Sequence, residues 1–285
     1  MKSVMLFIIS MVFASQVTAT DLFRFTAIPD QNTARLKERF DRVAVYLSSK
    51  LGIEVEYIPV KSYAASVNAF KNNEVQLAWF GGLSGVKARR AVPGSMAIAQ
   101  GEEDLQFITY FIANTTTGIQ AGNAFPDAIK GRTFTFGSKG STSGRLMPEF
   151  FIRQHYKKAP GEVFKRVGFS GDHSKTLALV QSGSYEVGAL SFKVYDNEKA
   201  AGNVDESKVS VIWRTPTYPD YNWSIRGDVE AKYGKGFIKK VQDALVTLED
   251  KEILDQFPRA RFIEADNTLY APLIETGTAI GIFEK

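Results

Sequence analysis

The sequence predicts an α/β protein built from two similar lobes, and three observations support this class. Short apolar runs such as EVEYIPV, VQLAWF and FITYFIAN alternate with longer helical patterns, as in mainly parallel sheets flanked by helices. A second set of such runs begins near Gly118, with TFTFG as its first strand. The two sets are also related by a constant offset. We therefore expect each lobe to be a mixed, mainly parallel sheet flanked by helices.

The clearest single element is a helix from Thr33 to Gly52. Its apolar residues recur at helical spacing, at Leu36, Phe40, Val43, Leu47 and Leu51. The glycine that follows is a common stop signal for a helix. This pattern predicts an amphipathic helix packed against the first sheet.

The repeat is visible when the sequence is shifted by 110 positions. The segment SYAASVNAFKNNEVQLAWF then falls without a gap on DHSKTLALVQSGSYEVGAL, and Tyr63 falls on His173. Each copy has a capping residue, an apolar helix, a two-residue turn and a strand. Proteins with two such lobes bind ligands where the carboxyl ends of strands meet helix N-termini. We therefore expect the site in the cleft between the lobes.

The repeat and the remaining elements give a domain organisation. Lobe 1 is predicted to comprise residues 20–114 and 221–285, and lobe 2 residues 115–220. The tail contains one strand, NWSI, and a helix over Val229–Leu248, too few elements for a third domain. It is therefore expected to return to lobe 1.

The first residues are typical of an exported protein. Residues 1–19 combine Lys2, an apolar run and small residues at Val17 and Ala19, as in a cleavable signal peptide. The chain has no cysteine, which excludes disulfides, thiol catalysis and a lipid-modified cysteine. We expect a soluble, monomeric protein of the periplasm without a lipid anchor.

Composition argues against several function classes. The formal net charge is +4 and no basic block is present, whereas nucleic-acid binding requires a denser positive patch. Two histidines, no cysteine and no HExxH motif leave little for metal chemistry. We predict no metal, no cofactor and no nucleic-acid partner.

The stretch GSKGSTSGRLMP, residues 137–148, is the first candidate site. Ser141 is a good N-cap, so hydroxyls and free N–H groups of a helix start could bind a tetrahedral oxyanion, with donors from Ser141, Thr142 and Ser143. Pro148 predicts a kink or a one-turn helix before the main helix. The alternative is a connecting loop, and neither a P-loop nor a nucleophile elbow is matched.

Tyr63 and His173 are the second candidates, because each begins a helix at equivalent points of the repeat. A phenol and an imidazole can both donate hydrogen bonds to an oxyanion. The alternatives are a packed aromatic residue and a capping histidine. Ser143, His173 and Asp172 would also allow a secreted serine hydrolase, although Asp172 is expected to cap its helix.

The segments SYAASVNAFKNNEVQLAWFGG, GSTSGRLMP and SGDHSKTLALVQSGSYEVGALS together resemble the periplasmic substrate-binding proteins of bacterial ABC importers for phosphate, phosphite and phosphonate. IPDQNTARL, LAWFGGLSGVKAR and AIAQG are most similar to a subgroup described as selenate-binding. The resemblance implies a two-lobe periplasmic-binding-protein fold of type II and an ABC permease as partner. It also implies a binding protein and not an enzyme.

The resemblance assigns ligand-binding roles to Tyr63, to the hydroxyls of residues 141–143 and to His173. A second tyrosine of the family falls near Phe107, which has no hydroxyl. The acidic residue that contacts an aminoalkyl group falls near Lys193, where no carboxylate is present. These departures argue against an aminoalkylphosphonate ligand.

The same residues bear on the identity of the anion. The predicted set contains donors only, which suits a fully ionised anion, so we predict selenate, with phosphonate, phosphite or phosphate as the alternative. Asp30 and Asp220 are acceptors whose entry into the site would change this balance. Trp79 is predicted either to form an apolar wall or to pack in the core.

Overall fold

The computed structural model describes residues 22–284, so the predicted signal peptide lies outside the described part. The strands are β1 Phe23–Ala27, β2 Val55–Tyr57, β3 Leu77–Phe80, β4 Met96–Gly101, β5 Thr109–Asn114, β6 Thr133–Phe136, β7 Arg166–Phe169, β8 Val187–Ser191, β9 Val209–Arg214, β10 Asn222–Ile225 and β11 Phe262–Glu264. The helices are α1 Thr33–Leu51, α2 Tyr63–Lys71, α3 Gly82–Ala91, α4 Met147–Tyr156, α5 Pro160–Val163, α6 His173–Gln181, α7 Phe192–Ala200, α8 Val229–Tyr233, α9 Phe237–Val246, α10 Lys251–Gln256 and α11 Ala271–Ala279. No helix of this described region has the length and apolar character needed to cross a membrane.

The strands form two mixed sheets, one in each lobe. The first has the order β11-β4-β10-β3-β1-β2 and the second the order β7-β6-β8-β5-β9. In each sheet three neighbouring strands run parallel, and the next strand, β10 or β5, is antiparallel to its neighbours. The predicted two-lobe α/β fold of type II is confirmed.

The chain crosses between the lobes twice, between β4 and β5 and between β9 and β10. β5 pairs with β8 and β9, so it belongs to the second sheet, although the boundary predicted after residue 114 assigns it to lobe 1. That boundary is wrong by one strand, because the apolar pattern of β5 does not show which sheet it joins. β10 and β11 both lie in the first sheet, where the tail is expected.

The predicted repeat appears as equivalent elements in the two lobes. α2 begins at Tyr63 and α6 at His173, while β3 begins at Leu77 and β8 at Val187. Each helix is capped at its N-terminus, by the side chains of Ser62 and Asp172 respectively. The two lobes therefore point equivalent helix starts towards the same cleft.

Helix α1 has the predicted bounds, and its ends follow from its caps. The Asn32 side chain accepts hydrogen bonds from the N–H groups of Ala34 and Arg35, and Gly52 follows the helix at φ 69°. A left-handed residue at this position favours glycine. The periodic apolar residues are buried, as predicted.

The cores show that the cleft is closed. The core of lobe 1 is rich in aromatic rings, and lobe 2 has apolar clusters of its own. Leu146 and Met147 of lobe 2 nevertheless pack into the lobe 1 cluster. The two lobes are therefore in direct apolar contact.

Candidate oxyanion-binding site

The segment 137–148 forms a buried cradle at the end of β6. The chain makes a π-helical turn over Thr142–Leu146 and continues into α4, whose first turn contains Pro148, so a distortion occurs where Pro148 predicts one. The Ser141 side chain accepts a hydrogen bond from the Gly144 N–H at 2.9 Å, as an N-cap does. Ser141, Thr142 and Ser143 are at most 2% exposed, so their hydroxyls are shielded from solvent.

Gly144 allows the cradle to approach the histidine. Its N–H and C=O bond to Ser141 and Gly137, and a Cβ atom there would lie 3.0 Å from His173 Cε1 and 3.0 Å from Ser141 Oγ. Such a contact is too close, so a side chain would displace two of the predicted donors.

Gly144→Ala is therefore expected to weaken oxyanion binding by about tenfold, or about 1.4 kcal/mol, as measured by isothermal titration calorimetry. The control is Gly161→Ala in the same lobe, where an added Cβ meets nothing within 4 Å. Equal affinities for both variants would show that this close packing does not position the donors.

His173 is a neutral donor whose orientation is determined by the backbone. Its Nδ1 accepts a hydrogen bond from the Ser191 N–H at 3.2 Å, so in the neutral ring the hydrogen lies on Nε2. Nε2 is 3.5 Å from Ser143 Oγ. Burial lowers the pKa of His173 to about 3. Near neutral pH the imidazole therefore offers an N–H group without a positive charge.

Tyr63 faces the same space from lobe 1. Its hydroxyl is buried and has no hydrogen-bond partner among the residues that the structure describes. Burial, followed by the nearby Asp30 and Asp220, raises its pKa well above the ordinary value. The phenol therefore keeps its proton and can donate a hydrogen bond to a ligand.

Asp220 supplies an acceptor opposite these donors. Its Oδ1 accepts the Gly82 N–H at 2.8 Å, while Oδ2 is buried without a hydrogen-bond partner in the described region. Burial raises its pKa to about 7, although Thr142 and the Gly82 N–H favour the ionised form. This carboxyl group can therefore exist in either protonation state near neutral pH.

Asp30 is the second buried carboxyl group of the cleft. Its Oδ2 accepts the Tyr221 hydroxyl at 2.8 Å, and burial raises its pKa while Arg39 opposes that shift. The premise that only donors surround the anion is therefore wrong, because two acceptors lie beside them. The sequence does not predict a role for Tyr221 in the site. Its only distinguishing feature there is its position between Asp220 and β10.

The lobes contact each other directly around these groups. The His173 N–H donates to the Asp30 carbonyl at 2.9 Å, and the Leu83 N–H donates to Thr142 Oγ1 at 3.0 Å. Each bond joins the start of a helix in one lobe to a loop in the other. The site is therefore complete only in the closed state.

Three weaker candidates are Trp79, Phe107 and Lys193. None of their side chains has a buried donor or acceptor atom that lacks a hydrogen-bond partner in the described part of the chain. Trp79 stacks on Tyr221 with ring centroids 5.5 Å apart, and Phe107 packs against Tyr221 at 5.3 Å. Lys193 forms an ion pair with Glu103 at 3.6 Å. Trp79 and Phe107 thus form an aromatic layer behind Tyr221.

Ser143, His173 and Asp172 do not form the catalytic triad of a serine hydrolase. Asp172 Oδ1 accepts the Lys175 N–H at 2.8 Å and caps α6, as expected. The Nδ1 atom of His173 bonds to a backbone N–H, so no carboxylate orients the ring as a general base.

The raised pKa of Asp220 predicts a pH-dependent stability of the ligand-free protein. A carboxyl group whose pKa rises from 3.8 to about 7 on folding stabilises the fold below pH 3.8 and loses this effect as pH rises through 7. The Asp220→Asn variant has no carboxyl group at this position, so its stability does not fall in this way. The melting temperature of the variant minus that of the wild type should therefore increase by about 5 °C between pH 4 and pH 8. A difference that does not change with pH, measured by differential scanning fluorimetry, would contradict this pKa.

Comparisons with known proteins identify the family to which this chain belongs. The family model described as "ABC transporter, phosphonate, periplasmic substrate-binding protein" matches residues 25–270. The chain is 39% identical over 274 residues to a probable ABC transporter phosphite-binding protein, PhnD1, of Prochlorococcus marinus, covering 93% of this chain and 92% of that protein. It is 25% identical over 199 residues to the phosphonates-binding periplasmic protein of Escherichia coli, covering 68% and 58% of the two chains.

The structural comparison extends over nearly the whole chain. The structure of PhnD1 from Prochlorococcus marinus in complex with methylphosphonate has a TM-score of 0.88 and 39% sequence identity, covering 92% of this chain and 99% of that one. A binding protein of a Pseudomonas aeruginosa phosphonate transporter, 18% identical, has a TM-score of 0.79 and supports the fold alone. The chain belongs to the phosphonate family of periplasmic substrate-binding proteins of ABC transporters.

Proposed function

We propose that this protein captures a small, singly protonated phosphorus oxyanion, such as methylphosphonate or phosphite, and delivers it to an ABC permease. The observation that carries this proposal is a pair of buried, unpartnered atoms in the closed cleft. They are the Tyr63 hydroxyl and Asp220 Oδ2, one a donor and the other an acceptor. Buried polar atoms without partners are costly, and a ligand with both P–O and P–OH groups would satisfy both.

The proposed ligand shares one proton with Asp220. A monoanion can donate its P–OH to the ionised carboxylate, and a dianion can accept from the protonated carboxyl group. Both combinations contain the same number of protons, and the pKa of about 7 for Asp220 makes either accessible near neutral pH. The hydroxyls of residues 141–143, Tyr63 and His173 donate to the remaining oxygens.

This arrangement disfavours selenate and sulfate. Both anions are fully ionised and have no proton to donate, so an ionised Asp220 would repel them. They could bind only with the carboxyl group protonated, which costs free energy as pH rises above about 7. The selenate prediction depended on a site with donors only, and that condition is not met.

The substituent on phosphorus is expected to be small and uncharged. The narrow space beside Asp30 and Tyr221 is also lined by three cationic side chains, those of Arg39, Lys193 and Arg259. Lys193 is paired with Glu103 and Arg259 with Asp104, so these two carboxylates are already engaged and offer little attraction to an aminoalkyl group. The names of the relatives, which mention phosphite and methylphosphonate, support the same class of ligand.

Binding would stabilise the closed state because the anion contacts both lobes. Tyr63 comes from lobe 1, Asp220 from the crossover just before β10, and the hydroxyl cradle and His173 from lobe 2. A ligand that binds the closed state more tightly shifts the population towards it. We propose that this closed monomer, exported to the periplasm by a cleavable signal peptide, engages the permease and has no enzymatic activity.

A thermal-shift panel tests this function. Methylphosphonate and phosphite at millimolar concentration should raise the melting temperature by several degrees, and selenate and sulfate should do so much less. The same preparation should release no product from a chromogenic ester. Stabilisation by selenate alone, or ester turnover that Ser143→Ala abolishes, would contradict the proposal.

A further inference from the structure

The closed cleft has an open groove at one side, which we call the cleft-mouth groove. It measures about 460 Å³ and is lined from both lobes, chiefly by Tyr63, Asn68, Lys87, Lys139, Gly140 and Phe169. Tyr63 both lines this groove and carries the unpartnered hydroxyl of the site. Tyr63 therefore connects the wall of this groove to the proposed anion site.

The groove carries an uncompensated positive charge. Its lining includes Lys87 of lobe 1 and Lys139 of lobe 2 but no Asp or Glu. Lys139 Nζ lies 5.2 Å from the Phe169 ring centroid, and neither lysine forms a hydrogen bond or an ion pair within residues 22–284. Burial and the nearby Arg145 lower the pKa of Lys87. Both amines are therefore available to an anion from solvent.

A second groove that is lined from both lobes has balanced charge. Its lining contains two arginines, Arg35 and Arg39, and two acidic residues, Glu38 and Asp255. Arg35 also forms an ion pair across the lobes with Glu198 at 3.4 Å. An approaching anion is therefore attracted to the cleft-mouth groove more than to this second groove.

We propose that the cleft-mouth groove is the entry route for the oxyanion and that Lys87 and Lys139 form a transient capture site in it. This inference rests on the proposed function. Clefts lined by charge of one sign raise the rate of association with an oppositely charged ligand. The two lysines lie outside the donor and acceptor set of the closed site, so they should affect association and not dissociation.

Stopped-flow fluorescence tests this proposal, with the Trp79–Tyr221 stack next to the site as the reporter. The double variant Lys87→Gln, Lys139→Gln is mixed with methylphosphonate and with phosphite at low salt, about 20 mM, and at high salt, about 500 mM. The matched control is Lys130→Gln, Lys158→Gln. Lys130 precedes β6 and Lys158 follows α4, so these exposed residues carry the same charge at the ends of elements away from the cleft.

The association rate constant of the test variant should fall roughly five- to tenfold at low salt and by less than about twofold at high salt. Its dissociation rate constant should change by less than about twofold, and the control should match the wild type in both. Unchanged association, or a change confined to dissociation, would overturn the entry route while leaving the receptor function intact. If the wild type binds neither anion, the proposed function fails and this inference fails with it. The single variants and the salt dependence of the wild type decide the question if the double variant misfolds.

Discussion

Asp220→Asn is expected to weaken binding of methylphosphonate by about tenfold, or about 1.4 kcal/mol, because the amide can bind only the dianion. The amide can still accept the Gly82 N–H, which Asp220 Oδ1 accepts at 2.8 Å. It replaces the unpartnered Oδ2 with an NH₂ group, which cannot accept a hydrogen bond from P–OH. The loss should therefore come from the protonated ligand and not from a damaged fold.

The same variant should bind sulfate and selenate as well as the wild type does, or better. Removing a carboxylate removes repulsion of a fully ionised anion, so the preference between the two classes should narrow or reverse. Titration calorimetry at pH 7 measures both affinities. Asp127→Asn is the control, because that carboxylate is exposed and pairs with His155 on the surface of lobe 2. Equal losses for all anions would mean that Asp220 acts only in closure or folding.

His173→Ala is expected to weaken binding of every oxyanion by about 100-fold or more. It removes the Nε2–H donor and leaves the Ser191 N–H, now bonded to Nδ1 at 3.2 Å, without its partner. Ser143→Ala provides a milder test, because it removes a neighbouring hydroxyl without disturbing Ser191. His155→Gln is the control for a histidine away from the site, since His155 stacks on Phe125.

The pH dependence of anion affinity distinguishes a neutral His173 from a charged one. Because the pKa of His173 is lowered to about 3, the ring stays neutral between pH 5 and pH 8, and the wild type should show no loss of affinity from its titration. An imidazolium donor would instead lose affinity by about tenfold per pH unit above its pKa. Affinity measured across this range that falls with a midpoint near 6.5, and does so less in His173→Ala, would contradict the neutral donor.

The fold could be predicted largely from local signals. A capping residue, a glycine stop and the helical spacing of apolar residues predict α1. The constant offset between Tyr63 and His173 indicates two equivalent lobes. Whether β5 joins the first or the second sheet depends on pairing with β8 and β9, which no local pattern encodes. The error in the lobe boundary has this cause.

The donors of the site were predictable, but the acceptors were not. Hydroxyls after a strand and aromatic residues at helix starts are recognisable from their positions, as at Ser141 and Tyr63. An aspartate in a loop such as that of Asp220 has the same local appearance whether it is exposed or buried. Its position follows from closure of the lobes, which buries it beside Gly82 and Thr142. The identity of the anion depends on that tertiary arrangement.

The central claim is that the site selects an oxyanion that carries a proton, and calorimetric titration of the wild-type protein at pH 7 tests it most directly. Methylphosphonate, phosphite, sulfate and selenate are titrated under the same buffer and salt conditions. We expect methylphosphonate or phosphite to bind at least about tenfold more tightly than sulfate and selenate, a difference of about 1.4 kcal/mol. Selenate or sulfate binding as tightly as methylphosphonate and phosphite would contradict the role of Asp220 and the proposed ligand class.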